Sequence, residues 1–120
     1  MSNKLMGRAT IRIDGQTFKA EKGATLDIGG VKRSTKNATS GVAGFSEEIV
    51  QSKLEFPFFL PAGVSVAQIR TWDNVVVSFE ADTGQTWIIN GGWATDTPVI
   101  EESDGKSKII IEGPPAEEVI

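Results

Sequence analysis

Two pairs of acids, Glu47-Glu48 and Glu101-Glu102, are the first residues that could do chemistry. Paired carboxylates supply the acid and the base of glycoside hydrolysis. Neighbours in a strand point to opposite faces, so neither pair brackets one bond by itself. The chain has no His and no Cys. The commonest general base and metal ligand is therefore missing, along with thiolate chemistry and any disulfide framework. A serine nucleophile would need an unusual base, and no Gly-x-Ser-x-Gly elbow occurs. Glu80, Asp82 and Asp104 are acids near turns, but no twelve-residue loop arranges them for calcium, and turn chemistry accounts for Asp14, Asp82 and Asp104 more simply. Neither a Gly-x-Gly-x-x-Gly nor a Walker pattern is present. With a pI near 4.8 and scattered Trp72, Trp87 and Trp93, the chain lacks the basic, aromatic-interleaved stripe of a nucleic-acid reader. These tryptophans are expected as core or interface anchors. No catalytic residue, cofactor site or metal site is assigned.

One cationic stretch stands out. Lys32, Arg33 and Lys36, with Ser34, Thr35 and Asn37 between and after them, have no acid from Ile28 to Ser46. Phosphate contact, docking onto an acidic neighbour and a solvated hairpin tip are all open to it. Charge is uneven along the whole chain. Residues 1–60 carry nine Lys/Arg against six Asp/Glu, and residues 61–120 three against ten. Complementary halves can steer self-association, or can merely solvate a globular surface.

These residues need elements to hold them. At 120 residues, 39% hydrophobic and 23% charged, the chain suits one domain with one core. No apolar run approaches a membrane span, and MSNKLMGR holds no signal-type apolar stretch, so a cytoplasmic product without membrane contact is expected. Asn37-Ala38-Thr39 then matches a glycosylation sequon by coincidence. The longest strand-like segment is Gly44 to Leu60. From Val50 its even positions are mostly apolar and Gln51, Lys53 and Glu55 are polar, a period of two. Such a strand spans roughly 40 Å, long for a small sandwich, and Pro57 requires a bulge, an edge or a change of partner.

In chain order, residues 1–7 are expected as a flexible arm. Ala9, Ile11 and Ile13 alternate before Asp14-Gly15, which suits a type I′ turn, and Gln16 to Ala20 returns with Phe18 inward. Lys22-Gly23 breaks the chain, and Ala24 to Ile28 gives a third strand. Residues 29–44 read as an extension of that strand and then a long protruding loop or hairpin, and a loop of about fifteen residues is unusual without a job. Pro61-Ala62-Gly63 ends the long strand. Ser65 with Gln68 is a capping-box pattern, with Val64 and Ile69 as its staple, for a short helix from Val66 to Trp72. Val75, Val77 and Phe79 share one face of a strand from Asn74 to Ala81. Asp82-Thr83-Gly84 turns it into Gln85 to Asn90, with Trp87 and Ile89 inward. Gly91-Gly92 marks a bulge or a close backbone approach. Thr97 to Glu102 is an edge strand, Asp104-Gly105 a turn, and Lys106 to Glu112 a closing strand. Pro114-Pro115 ends regular pairing and 113–120 forms an acidic tail. The fold class is mainly β: an antiparallel sandwich or barrel with one short flanking helix.

The order IRIDGQTFKAEKGATLDIGG, polar loop, long strand, short helix, VVVSFEADTGQTWIINGGW and a terminal IIIEG resembles the tail tube proteins of Mu-like contractile-tailed bacteriophages, over nearly the whole chain. That family is similar to the tube proteins of type VI secretion and bacteriocin tails. The resemblance implies a structural homo-oligomer of hexameric rings, stacked into a hollow conduit for DNA within a sheath, with baseplate and tape-measure partners and a place in the virion tail. It also implies that residues Lys32, Arg33, Ser34, Thr35, Lys36 and Asn37 form an inter-ring contact. Gln51, Glu55, Ser78 and Glu80 are the candidates to line the channel, where a net acidic subunit would not hold phosphates. A bacteriocin or secretion tube subunit is the nearest alternative. A sugar-binding sandwich with Trp72 or Trp93 as a stacking platform is the alternative from another class.

Overall fold

The structure, a computed structural model, describes residues 6–18, 23–59, 65–95, 99–103 and 105–119. Residues 1–5 of the expected arm lie outside these, as do Ala20, Lys22, Leu60, Pro61-Ala62-Gly63, Val64, Thr97, Asp104 and Ile120.

Alternation sets the first hairpin. In β1 (Ala9–Ile13), Ile11 and Ile13 point inward, and β2 (Gln16–Phe18) returns with Phe18 buried. Asp14 (φ 51) and Gly15 (φ 84) both take the positive φ that a type I′ turn demands. Asp14 also closes a bond to a more distant strand, its Oδ1 accepting from the Val76 amide at 2.9 Å. β3 (Thr25–Asp27) is followed by the ribbon β4 (Gly30–Ala38) and β5 (Gly41–Val50), and then by β6 (Ser52–Phe59).

The segment from Gly44 to Leu60 is therefore two strands, not one. Gln51 belongs to neither, and the chain changes partner there: β5 pairs with β4, whereas β6 pairs with β10 and β3. The period of two runs unbroken across that change because it records which face a side chain takes, not which strand lies beside it. Pro57 sits beyond the Thr25↔Glu55 pair at which β3 begins, so among the described residues its ladder partner is on the β10 side alone.

Helix α1 (Val66–Ile69) is shorter than its signal. Ser65 Oγ accepts from the Gln68 amide at 3.2 Å as a cap should. Beyond Ile69 the amides of Thr71 and Trp72 reach back only three residues, to Gln68 and Ile69, so the chain tightens and stops. Ile69 alone of the helix is buried.

β7 (Val75–Ala81) and β8 (Thr86–Ala94) form the central hairpin, turned by Gly84 at φ 103. β9 (Ile100–Glu101), β10 (Lys106–Gly113) and β11 (Glu117–Val119) complete the chain. The last is a departure from expectation. After Pro114-Pro115 the tail resumes pairing, lying antiparallel on β8 with Glu118 opposite Trp87.

The strands run β2-β1-β7-β8-β10-β6-β3, with β11 on β8 and β9 on β10. Among the described residues β2 and β3 each pair with one strand, so the path is open: a sandwich, not a closed barrel. The layers join where β8 leaves β7 for β10. Here Gly91 takes φ 78, and the β7–β8 register shifts between Val75 and Val77. A Cβ on Gly92 would lie 2.9 Å from Ile111 Cγ2, and one on Gly113 would lie 3.0 Å from the Gly92 Cα. The expected bulge and the expected close approach thus both occur at this corner. Between the layers, Ile11, Ile13, Val77, Phe79 and Ile89 meet Leu54, Phe56, Phe58, Ile109 and Ile111. Phe18 meets Phe58 edge-on at 5.6 Å and Trp72 at 5.9 Å.

Candidate assembly surface

The stretch read as a protruding loop or hairpin is a hairpin ribbon, and it runs on to Val50. β4 and β5 pair from Gly30↔Val50 to Ala38↔Gly41, with a register shift at Lys36/Asn37 and a turn at Thr39-Ser40. Among the described residues the two strands pair only with each other. At about 3.3 Å per residue this arm is roughly 30 Å long, and it helps stretch the molecule to 62 Å on its longest axis. Small polar residues and glycines suggested a loop because a ribbon without a covering layer needs no buried face.

Register divides the arm into two faces. Lys32, Ser34 and Lys36 share one face with Glu48, Ser46 and Gly44. Arg33, Thr35 and Asn37 share the other with Glu47, Phe45 and Val42, continued by Val31 and Ile49. The six candidate contact residues are thus split three and three. Their charge is also partly answered within the arm. Arg33 Nε lies 3.7 Å from Glu47 Oε1 and its guanidinium sits 5.5 Å from the Phe45 ring centre, while Lys32 stands opposite Glu48. The acids that terminate the cationic stretch in sequence fold back beside it.

What the charge pattern obscured is the apolar row. Val31, Val42, Phe45 and Ile49 all fall on one face, at 57%, 75%, 60% and 78% exposure. A row of large apolar side chains left in water on a protruding ribbon marks an interaction surface. Two features are needed to see it: the turn at Thr39-Ser40 and the bulge at Lys36/Asn37, which leaves Ala43 without a partner and so brings Val42 onto the face of Phe45 and Ile49, and the sequence marks neither.

The four channel candidates do not share a face. Gln51 and Glu55 lie with the layer of β6 and β10: Gln51 Nε2 donates to Glu112 Oε1 at 3.0 Å, and Glu55 is paired with Lys108. That pairing holds the Glu55 carboxyl below the usual carboxylate range, against a smaller opposing effect of burial and with help from Lys53. Ser78 and Glu80 lie on β7 in the other layer, where Glu80 accepts from Arg12 Nη1 at 3.3 Å. β6 and β7 are not neighbours, so the candidates fall into two separate pairs.

The remaining candidates resolve into structure. Glu47 and Glu48 belong to the arm ladder. Asp82 opens the β7–β8 turn, and its carboxylate reaches across to the start of the chain, Oδ1 accepting from the Gly7 amide at 3.2 Å and Oδ2 lying 3.8 Å from Arg8 Nε. No serine nucleophile is expected from the sequence, on an elbow or on a Ser-x-x-Lys motif; that spacing does occur once, at Ser103 and Lys106, but the two flank the turn into β10 instead of sharing a helical face. Trp72 is half-buried against the core, whereas Trp93 is 42% exposed opposite Glu112. Among the described residues no group of three or more His, Cys, Asp or Glu could hold a metal ion.

Comparison with known proteins bears on what this surface serves. The sequence profile of the family described as phage tail tube protein matches residues 2–118. The chain is 33% identical over 109 residues to the Mu-like prophage FluMu tail tube protein of Haemophilus influenzae, covering 91% of each chain. It is 32% identical over 98 residues to the tail tube protein of Escherichia phage Mu, covering 80% of each. In fold it is similar to a chain of the PVC sheath/tube terminator of an extracellular contractile injection system, in the extended state. That match has a TM-score of 0.71 at 9% identity and covers 100% of this chain and 99% of the other. A chain of the sheath-tube complex of the same type of system gives 0.63 at 9% identity, covering 93% and 88%.

Proposed function

The chain belongs to the phage tail tube protein family, and on that footing we propose that six copies close into a ring and that rings stack into a hollow tube for DNA inside a contractile sheath. The subunit is then a structural part of a virion tail, without catalysis or cofactor. Its partners are further copies of itself, the sheath, the baseplate and a tape-measure protein. The observation that carries stacking is the arm, whose apolar face is exposed in the single subunit and which extends for roughly 30 Å without pairing to either layer of its own subunit among the described residues. Lys32 to Asn37 contribute to that contact from both faces of the ribbon, with the row of Val31, Val42, Phe45 and Ile49 as its main component. A bacteriocin or secretion tube would be the same object with another cargo.

Because the channel candidates occupy two layers, one pair lines the lumen: either Gln51 and Glu55 or Ser78 and Glu80. DNA passes without specific binding, since the net charge of −4 gives phosphates no cationic wall to release counterions.

Electron microscopy of the purified protein at rising concentration tests the assembly. Stained rings or tubes with a central channel are expected, and a lone subunit at every concentration, even with preformed tubes added as seeds, would sink the proposal. With no native Cys, Glu55→Cys or Glu80→Cys gives a single thiol. On assembled tubes, a maleimide carried on an antibody-sized protein should label one of the two and not the other. Labelling of both would remove both pairs from the lumen.

A further inference from the structure

The arm meets the body at two feet, and both are bonded to the same short piece of chain. On the entering side the Ile28 carbonyl accepts from the Ala116 amide at 2.8 Å. On the leaving side the buried Ser52 hydroxyl is shared between the carbonyls of Pro114, at 2.7 Å, and Gly113, at 3.2 Å. Beside it Gln51 Nε2 donates to Glu112 Oε1 at 3.0 Å. The piece of chain from 112 to 116 is itself anchored at both ends. It continues the β10 ladder on one side, and it runs into β11 on the other, where Trp87 Nε1 donates to Glu118 Oε2 at 3.2 Å.

Those bonds act on a joint that would otherwise swivel. Gly29 and Gly30, at φ 68 and 106, occupy backbone conformations that only glycine adopts readily. Gln51 interrupts the strand on the other side, and no ladder joins the described part of the ribbon to either layer. Gly29 is in addition pressed against the opposite foot: a Cβ there would lie 2.6 Å from the Val50 carbonyl oxygen and 2.7 Å from the Ser52 nitrogen. The two feet therefore move as one unit, which leaves the body just beyond the Asp27↔Lys53 pair of β3 and β6, and the segment from Gly113 onward is bonded to both feet across that joint.

We infer that Gly113–Val119 is a strap that sets the direction of the arm, with Ser52 and Ala116 as its attachment points. A ribbon of roughly 30 Å is a long lever, so a swing of about 10° at its feet displaces the tip by about 5 Å. That exceeds the tolerance of a packed apolar contact. A segment that reads in the sequence as an acidic tail thus decides where the apolar face of the arm is presented.

The inference concerns the free subunit and stands or falls apart from the tube proposal. Single-molecule energy transfer at concentrations too low for association tests it, with dyes on Ser40→Cys at the arm tip and Asp73→Cys on the body; the chain has no other thiol. The parent should show one narrow peak. A chain lacking residues 114–120 should show a shifted or broadened one, and Ser52→Ala combined with Ala116→Pro should shift in the same direction. If the shortened chain keeps the parent's peak position and width, the strap is refuted. If it fails to melt cooperatively, the double variant decides: an unchanged peak overturns the inference, and a shifted or broadened one upholds it.

Discussion

Glu55 shows how little an exposed ion pair contributes and how readily it can still be measured. Its side chain is 30% exposed, and its carboxylate is held by Lys108 across the β6–β10 ladder. The pairing favours the charged form, so the folded-state value lies below the ordinary one. The contribution to stability is accordingly full above the unfolded value and lost as pH falls through the depressed one. Near neutrality it is constant. Lys108→Ala should move the Glu55 titration, followed by NMR of its carboxyl carbon, up toward the ordinary carboxylate range. At neutral pH the melting temperature should hardly change, because a solvent-exposed pair gains little over water and holds two side chains in one geometry. A Glu55 titration unmoved by the substitution would show that another group sets it. Ser52 makes the opposite case. It falls in the sequence at a core position of the alternation, and nothing in the sequence says what its hydroxyl meets. The partners are backbone carbonyls of Gly113 and Pro114, some sixty residues away.

At the level of the elements, β1, β2, β7, β8 and β10 were legible because each has one face in the core, and burial imprints a period of two. The arm was not, since neither of its faces meets a layer of its own subunit and the imprint is weak. Its apolar row became visible only through register, which depends on the turn at Thr39-Ser40 and on the bulge at Lys36/Asn37. The tail was misread for a related reason: Pro114-Pro115 does end one ladder, but β11 joins a different strand after the crossing. The same register changes what the arm's charges can do. Reversing Lys32 and Arg33 would set Glu against Glu48 and Glu47, so a Lys32→Glu, Arg33→Glu, Lys36→Glu variant damages the ribbon as well as any contact. Phe45→Ser with Ile49→Ser is the cleaner test. Burying each such side chain is worth roughly 1.5–3 kcal/mol, against about 0–1 kcal/mol for an exposed charge pair. The double variant should keep its melting behaviour to within about 0.5 kcal/mol per site, yet fail to form stacked tubes by electron microscopy. Lys36→Glu should stack with at most a modest loss. The reverse ranking would return the contact to the cationic face.

On the scale of the whole molecule the uneven charge finds its answer inside the subunit. The halves of the chain interleave, β1 with β7 and β6 with β10, and the pairs Arg8–Asp82, Arg12–Glu80 and Glu55–Lys108 each join one half to the other. Charge that looks complementary between subunits in the sequence is thus partly spent within one. A tube held mainly by attraction between a basic and an acidic surface should come apart as salt rises, because at about 1 M the screening length falls to roughly 3 Å. A tube held by the apolar face of the arm should not. Sulfate, which strengthens apolar burial by exclusion from the protein surface, should favour it. Sedimentation of assembled tubes across a salt series separates these two cases. Tubes that persist in about 1 M sodium chloride and grow in sulfate would place the holding force on Val31, Val42, Phe45 and Ile49, whereas tubes that dissolve in chloride would place it on charges between subunits, with the pairs inside each subunit too few to matter.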